Sequence, residues 1–110
     1  MVKLQTPSKE LAARIVTPVG FAQRLTGYRF RERTGPMSIA LYSFEEVVGL
    51  LCDPFPRIDF MALGTWIRDV MGDADLAGRI AAIINDKDSD RNKTVKIRNQ
   101  MAARLLQCKE

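Results

Sequence analysis

The densest run of side chains able to do chemistry is Asn85-Asp86-Lys87-Asp88-Ser89-Asp90-Arg91-Asn92. Asp86, Asp88, Asp90 and Asn92 stand at positions 1, 3, 5 and 7 of a would-be calcium loop, where oxygen ligands begin to wrap the ion. The rest of that pattern fails. Position 6 is Arg91, where a sharp turn needs glycine, and position 12 is Ile97, where a bidentate Glu belongs. Arg91 and Lys93 would also set positive charge beside the ion. The run reads better as a solvated loop ahead of the last helix, and neither a metal nor any other cofactor is expected.

Paired carboxylates are the next resource. Asp69 and Asp73 are four residues apart around a helix end, which reads more simply as one solvated side chain and one N-cap than as an acid/base pair. There are no histidines, so Ser-His-Asp and Cys-His catalysis and His-containing zinc sites are excluded within this chain. The phosphate-cradling patterns GxGxxG and GxxxxGK are absent. The expectation is a chain that is not an enzyme.

Tyr28-Arg29-Phe30-Arg31-Glu32-Arg33 interleaves aromatics with guanidiniums. In an extended strand Tyr28 and Phe30 share one face and the three Arg the other. Stacking rings beside phosphate-binding cations describe many single-strand binders. The plainer alternative is an edge segment whose aromatics enter the core while Arg faces water, which also blunts edge pairing. Trp66 lies beside the buried stripe of its helix, either as an interface anchor or as a cover for the edge of the core. Tyr28, Arg29, Phe30, Arg31, Arg33 and Trp66 are thus the candidate contact residues. Gly64 and Gly78 sit inside helical patterns, where close approach of helices would explain them, and so would no special role at all.

The elements that must position these residues are clearest in the second half. Asp59 is an N-cap, followed at helical spacing by Phe60, Leu63, Ile67, Val70 and Met71. Gly72 stops that helix at a position needing positive φ. Asp73 caps the next, with Leu76, Ala77, Ile80, Ile83 and Ile84 on one face, so two helices meet at a short corner. After the polar run, Thr94, Ile97, Met101, Leu105 and Cys108 form the stripe of a terminal amphipathic helix, with Gln100, Arg104 and Lys109 outside it. Residues 60–71, 74–84 and 94–107 are the predicted helices.

In the first half, Thr6-Pro7 and Thr17-Pro18 each look like an N-cap followed by Pro at the first helical position. Leu11 and Ile15 would be buried from the first helix, Phe21 and Leu25 from the second, which Gly27 would end. Ser43-Phe44-Glu45-Glu46 is a capping box opening a helix that buries Phe44, Val47, Val48 and Leu51. Asp53-Pro54 and Pro56 stop it. Residues 28–42 alternate in places like a short hairpin.

The chain has 110 residues, 46% hydrophobic and 27% charged, an ordinary balance for one globular domain and against disorder. No apolar run approaches the roughly 20 residues that span a bilayer, and MVKLQTPSKE lacks the apolar core of a secretory signal. A cytoplasmic chain with no membrane partner is expected. Cys52 and Cys108 belong to no CxxC pair and read as two buried free thiols, or as a disulfide only in an oxidising compartment. The net charge of +4 hides a division. Residues 1–36 carry seven basic groups and two acids, residues 37–90 four and ten, residues 91–110 six and one. The basic ends either approach a polyanion or lie against the acidic middle.

The run PRIDFMALGTWIRDVMGDADLAGRIAAI (56–83) resembles a family of uncharacterised small bacterial proteins, with SIALYSF (38–44) matching the same family's Ser-Ile-x-Tyr segment. That family carries His where this sequence has Leu41 to Phe44, so any role of those His has no counterpart here. The resemblance implies a helical fold and supplies no activity.

Together these residues predict an all-α single domain, residues 1–110, of about five helices with a minor two-stranded element near residues 28–42. The leading expectation is a non-catalytic protein-interaction module, or a small subunit or adaptor of a larger assembly, with a protein partner or self-association. The alternative is a nucleic-acid-binding regulator using Arg29, Arg31, Arg33, Lys93, Lys96 and Arg98. An enzyme built on Asp69 and Asp73 is the third.

Overall fold

A computed structural model of the chain describes residues 6–31, 35–52 and 56–109. Five helices carry most of it: α1 (Lys9–Val16), α2 (Phe44–Leu51), α3 (Phe60–Asp69), α4 (Ala74–Asn85) and α5 (Asp90–Lys109). Three short strands, β1 (Leu25–Arg31), β2 (Gly35–Leu41) and β3 (Pro56–Ile58), form an antiparallel sheet in the order β2-β1-β3. The all-α expectation is corrected accordingly. The molecule is mainly helical, and the minor element near residues 28–42 is a sheet of three strands instead of two.

The helices begin where a short polar side chain can take a free N–H. Asp59 accepts from the N–H groups of Met61 and Ala62, at 2.9 and 3.2 Å. Ser43 accepts from Glu46 N–H at 3.1 Å, while the Glu46 carboxylate reaches back to the N–H of Tyr42 at 3.4 Å, one residue beyond the usual partner in such a box. The first helix starts later than Thr6-Pro7 implies, because Ser8 is its cap, taking Leu11 N–H at 3.1 Å. The last starts earlier than predicted, at Asp90, because Ser89 accepts from Asn92 N–H at 3.2 Å. Asp90 then puts an anion in the first turn, where the helix dipole favours it.

The largest departure lies between Thr17 and Gly27. A helix there would bury Phe21 and Leu25. Only one 3₁₀ turn forms, Phe21–Gln23, whose N-cap Gly20 has no side chain to offer, and Phe21 is 69% exposed. The chain is already extended by Arg24 and enters β1, where Leu25 pairs across from Leu41 and both are buried. Gly27 therefore ends no helix. A Cβ there would collide with the tip of the Leu50 side chain of α2, so glycine leaves room for that leucine over the strand. The Asp53-Pro54 stop signal lies outside the described residues, and Pro56 opens β3.

One hydrophobic cluster joins the layers. Ile15, Phe44, Val47, Leu63, Ile67, Met71, Leu76, Ile80, Ile97 and Met101 are fully buried in it. Val48, Val70, Ile83 and Leu105, expected to be buried, line its margin, whereas Leu50 lies within it. At twenty residues α5 is about 30 Å long and packs on α1, α2 and α4, while α3 packs on α4 and β1. Among the described residues no helix is long and apolar enough to cross a membrane.

Candidate interaction surfaces

The corner between α3 and α4 creates two environments at once. Gly72 takes φ +74°, open to glycine at little cost. The last carbonyls of α3 are used on the way round: Met71 N–H donates to Trp66 O, and Asp73 N–H to Ile67 O, both at 3.1 Å. The two helices then diverge around a half-open groove of about 350 Å³. Gly64 and Thr65 of α3 face Ala74, Ala77, Gly78 and Ala81 of α4, with Phe60, Met61, Ile84, Arg68 and Asn85 around them.

The glycines are not there for close helix packing. A Cβ built on Gly64 or Gly78 meets no atom within 4 Å. They widen the groove instead, and Met61 at its rim is 70% exposed. No carboxylate, thiol or tyrosine lines it among the described residues. It can receive an apolar side chain or a helix, and its one hydroxyl, on Thr65, has no carboxylate or histidine beside it in the lining to act as a base.

The other flank of α4 is sealed. Asp73 is 1% exposed, caps the helix by accepting Leu76 N–H at 3.1 Å, and meets Arg104 of α5, also 1% exposed. Arg104 Nε lies 2.8 Å from Asp73 Oδ2, and Nη2 lies 3.4 Å from Asp73 Oδ1 and 3.5 Å from Asp75 Oδ2. The Nε–Oδ2 contact is an ion pair without hydrogen-bond alignment. Gln107 accepts from Arg104 Nη1 at 3.0 Å, and Arg79 Nε reaches Asp75 at 3.4 Å. Nearby Cys108 has its thiol pushed up by burial, an effect that Arg104 opposes and Asp73 reinforces.

Placing Arg104 outside the buried stripe was therefore an error. Ile97, Met101, Arg104 and Cys108 follow one another at four, three and four residues, the spacing of a helix seam. The charge of Arg104 hid its membership. The available signal was the complement: Asp73 at the N-cap and Asp75 in the first turn of the preceding helix.

The contact residues expected from sequence do not gather on one surface. Trp66 is 5% exposed, and its indole N–H donates to Gln23 O at 2.8 Å. It is not the partly exposed anchor that its place beside the stripe suggested, because the turn before β1 folds over it. Tyr28 is 45% exposed in β1, flanked in register by Ser38 and Arg57, both exposed. The alternative that sent this aromatic inward from an edge is overturned, since β1 is the central strand and its inner row runs through Leu25 and Gly27. Arg29, Phe30 and Arg31 are described only by their β1 positions, across from Met37, Pro36 and Gly35. Arg33 lies outside the described residues.

The basic C-terminal segment is largely engaged with the acidic middle. Lys93 donates to Ile84 O at 2.8 Å, at the end of α4. Lys96 lies 2.9 Å from Asp88 and 3.9 Å from Asp86, and Lys109 lies 3.3 Å from Glu45. Among the described residues Arg98 reaches Asn99 alone, at 3.3 Å.

The calcium-like run is engaged as well. Asp88 accepts from Asn92, Lys96 and Ser89 N–H, which together hold its carboxyl down at about 2. No group of three or more candidate ligands converges among the described residues. Asp69 is bound to Arg68 at 2.9 Å on the surface, so it shares no site with the buried Asp73. Both cysteines are free. Cys52 is exposed, contrary to the expectation of two buried thiols, and Cys108 is half-buried.

Comparison with known proteins returns no matching family model, no matching curated protein and no matching solved structure.

Proposed function

We propose that this chain is a non-catalytic interaction module, a small subunit or adaptor of a larger assembly, and that the α3–α4 groove is its docking face for a protein partner. One observation carries the reading. Two glycines stand in helix interiors at a cost of roughly 1 kcal/mol each relative to Ala, yet nothing among the described residues needs the space they leave. Their use is explained by something that must come close to the backbone from outside. An apolar groove with an exposed methionine at its rim suits a partner's helix or apolar side chain, since methionine adapts to irregular surfaces.

The non-catalytic part rests on the absence of histidine from the whole chain and on the sealed state of Asp73. The nucleic-acid reading has Tyr28 beside Arg57 on an uncovered sheet face in its favour. Against it, Lys93 and Lys96 are occupied within the molecule.

The test is affinity capture with wild type and Gly78→Leu, which puts an apolar side chain into the groove from a position where an added Cβ meets no atom within 4 Å. A stoichiometric protein partner should be lost with Gly78→Leu, whose melting temperature is not lowered. Identical capture by both proteins would sink the docking face. Nucleic-acid affinity should be weak, on the order of 10 μM or poorer near physiological salt, as for any mildly basic domain. Sub-micromolar binding there would favour the alternative.

A further inference from the structure

The outer edge of the sheet carries a second interaction surface, independent of the groove. β2 is an edge strand, paired with β1 along its whole length and with nothing on its other side among the described residues. Such an edge presents unused backbone N–H and C=O groups, which natural proteins blunt with charge, bulges or a cover. The sequence of β2, Gly35-Pro36-Met37-Ser38-Ile39-Ala40-Leu41, contains no charge. Met37, Ser38 and Ala40 are exposed. The row that starts at buried Leu41 passes through half-buried Ile39 to Met37, which is 46% exposed. The apolar layer thus runs on to the edge with nothing beyond it.

We infer that this edge pairs with β2 of a second copy, antiparallel about a two-fold axis at Ser38, joining two three-stranded sheets into one of six. An added strand satisfies the whole row of such an edge at once, and three features select this strand itself. Pro36 has no N–H to give β1, so the β1 ladder stays whole when Pro36 sits in a non-hydrogen-bonded pair. Period 2 then turns the N–H groups of Ser38 and Ala40 outward. Pairing centred on Ser38 exchanges two bonds between the Ser38 residues and sets each Ala40 N–H on the other copy's Pro36 carbonyl. Every outward N–H then meets a carbonyl, and only the Ala40 carbonyl, opposite the Pro36 nitrogen, is left to water.

The inner row is also self-complementary. Met37 of each copy lies opposite Ile39 of the other, covering the exposed methionine with the neighbour's apolar side chain. With no charge on β2, no like charges meet across the axis. The contact at Tyr42 limits the register, because its carbonyl already accepts Val19 N–H at 2.6 Å. Pairing is confined to the open residues before it. The contact is isologous and closes on itself, giving a dimer and no fibre.

An edge of this length makes a small interface, so association is expected with a dissociation constant on the order of tens of micromolar. Sedimentation velocity across about 1–300 μM, a range that brackets such a constant, should show wild type passing from monomer to dimer. Ser38→Pro should be monomeric throughout with an unchanged helical spectrum. Should that variant fail to fold, Ser38→Lys and Ser38→Glu keep the backbone donors. Each alone should dimerise several-fold more weakly than wild type, and an equimolar mixture should recover, since opposite charges then face each other at the axis. Wild type that stays monomeric, or charge variants that dimerise as wild type and gain nothing on mixing, would overturn the inference. Gly78→Leu should leave the dimer untouched, which separates this surface from the groove.

Discussion

The two flanks of α4 use the same helix in opposite ways. Towards α5, Leu76 and Ile80 are fully buried, and Asp73 is closed under Arg104. Towards α3, Gly78 and Ala81 are exposed along a groove that none of the described residues fills. The sealed flank shows that a buried charge pair can be wholly structural, joining the start of α4 to the last turns of α5. The open flank shows small residues withheld from packing.

Breaking the sealed flank should have the largest effect. Arg104→Ala leaves Asp73 buried without its cation and should cost about 3–5 kcal/mol of stability, read from urea unfolding. Asp73→Ala loses both the pair and the cap. The double variant should cost well under the sum of the two, as for residues in direct contact. Additive losses would mean that the pair is not a unit.

Filling the open flank should act in the opposite direction. Gly64→Ala and Gly78→Ala should each raise stability by about 0.5–1 kcal/mol, because each adds helix propensity and meets nothing. A loss at either site would show that the groove closes in solution, and the contrast between flanks would disappear.

The smallest effect belongs to Asp88, beyond the C-terminal end of α4. Its folded carboxyl is held at about 2, below the unfolded value near 3.9. A depressed folded value stabilises the protein above the unfolded one, and that contribution fades as pH falls from about 4 towards 2. Wild type should therefore melt slightly above Asp88→Asn near neutral pH, with the gap shrinking below about pH 4. A gap that widens on acidification would reverse the assignment.

What was legible in the sequence was what a few neighbouring residues decide. Ser43, Asp59 and Asp73 cap helices through bonds spanning two or three residues, and Gly72 turns the corner through its own φ. Such signals carry their partners with them, so the starts of α2, α3 and α4 were readable to the residue, as was most of the core stripe, whereas α3 ends two residues before the expected position. The α3–α4 groove was visible only as two unexplained glycines, because an empty space has no sequence signature. The tertiary structure alone decided the rest. Leu25 to Arg31 became a strand because β2 and β3 lay ready on both sides, Trp66 went inward because Gln23 accepts its N–H from 43 residues away, and Arg104 was buried because Asp73 waits 31 residues earlier. Local propensity differs by less than about 1 kcal/mol between most residues, whereas leaving a buried donor or charge unmet costs more than that. Where a distant partner exists, it prevails over the local preference, and only the folded chain shows which partners meet.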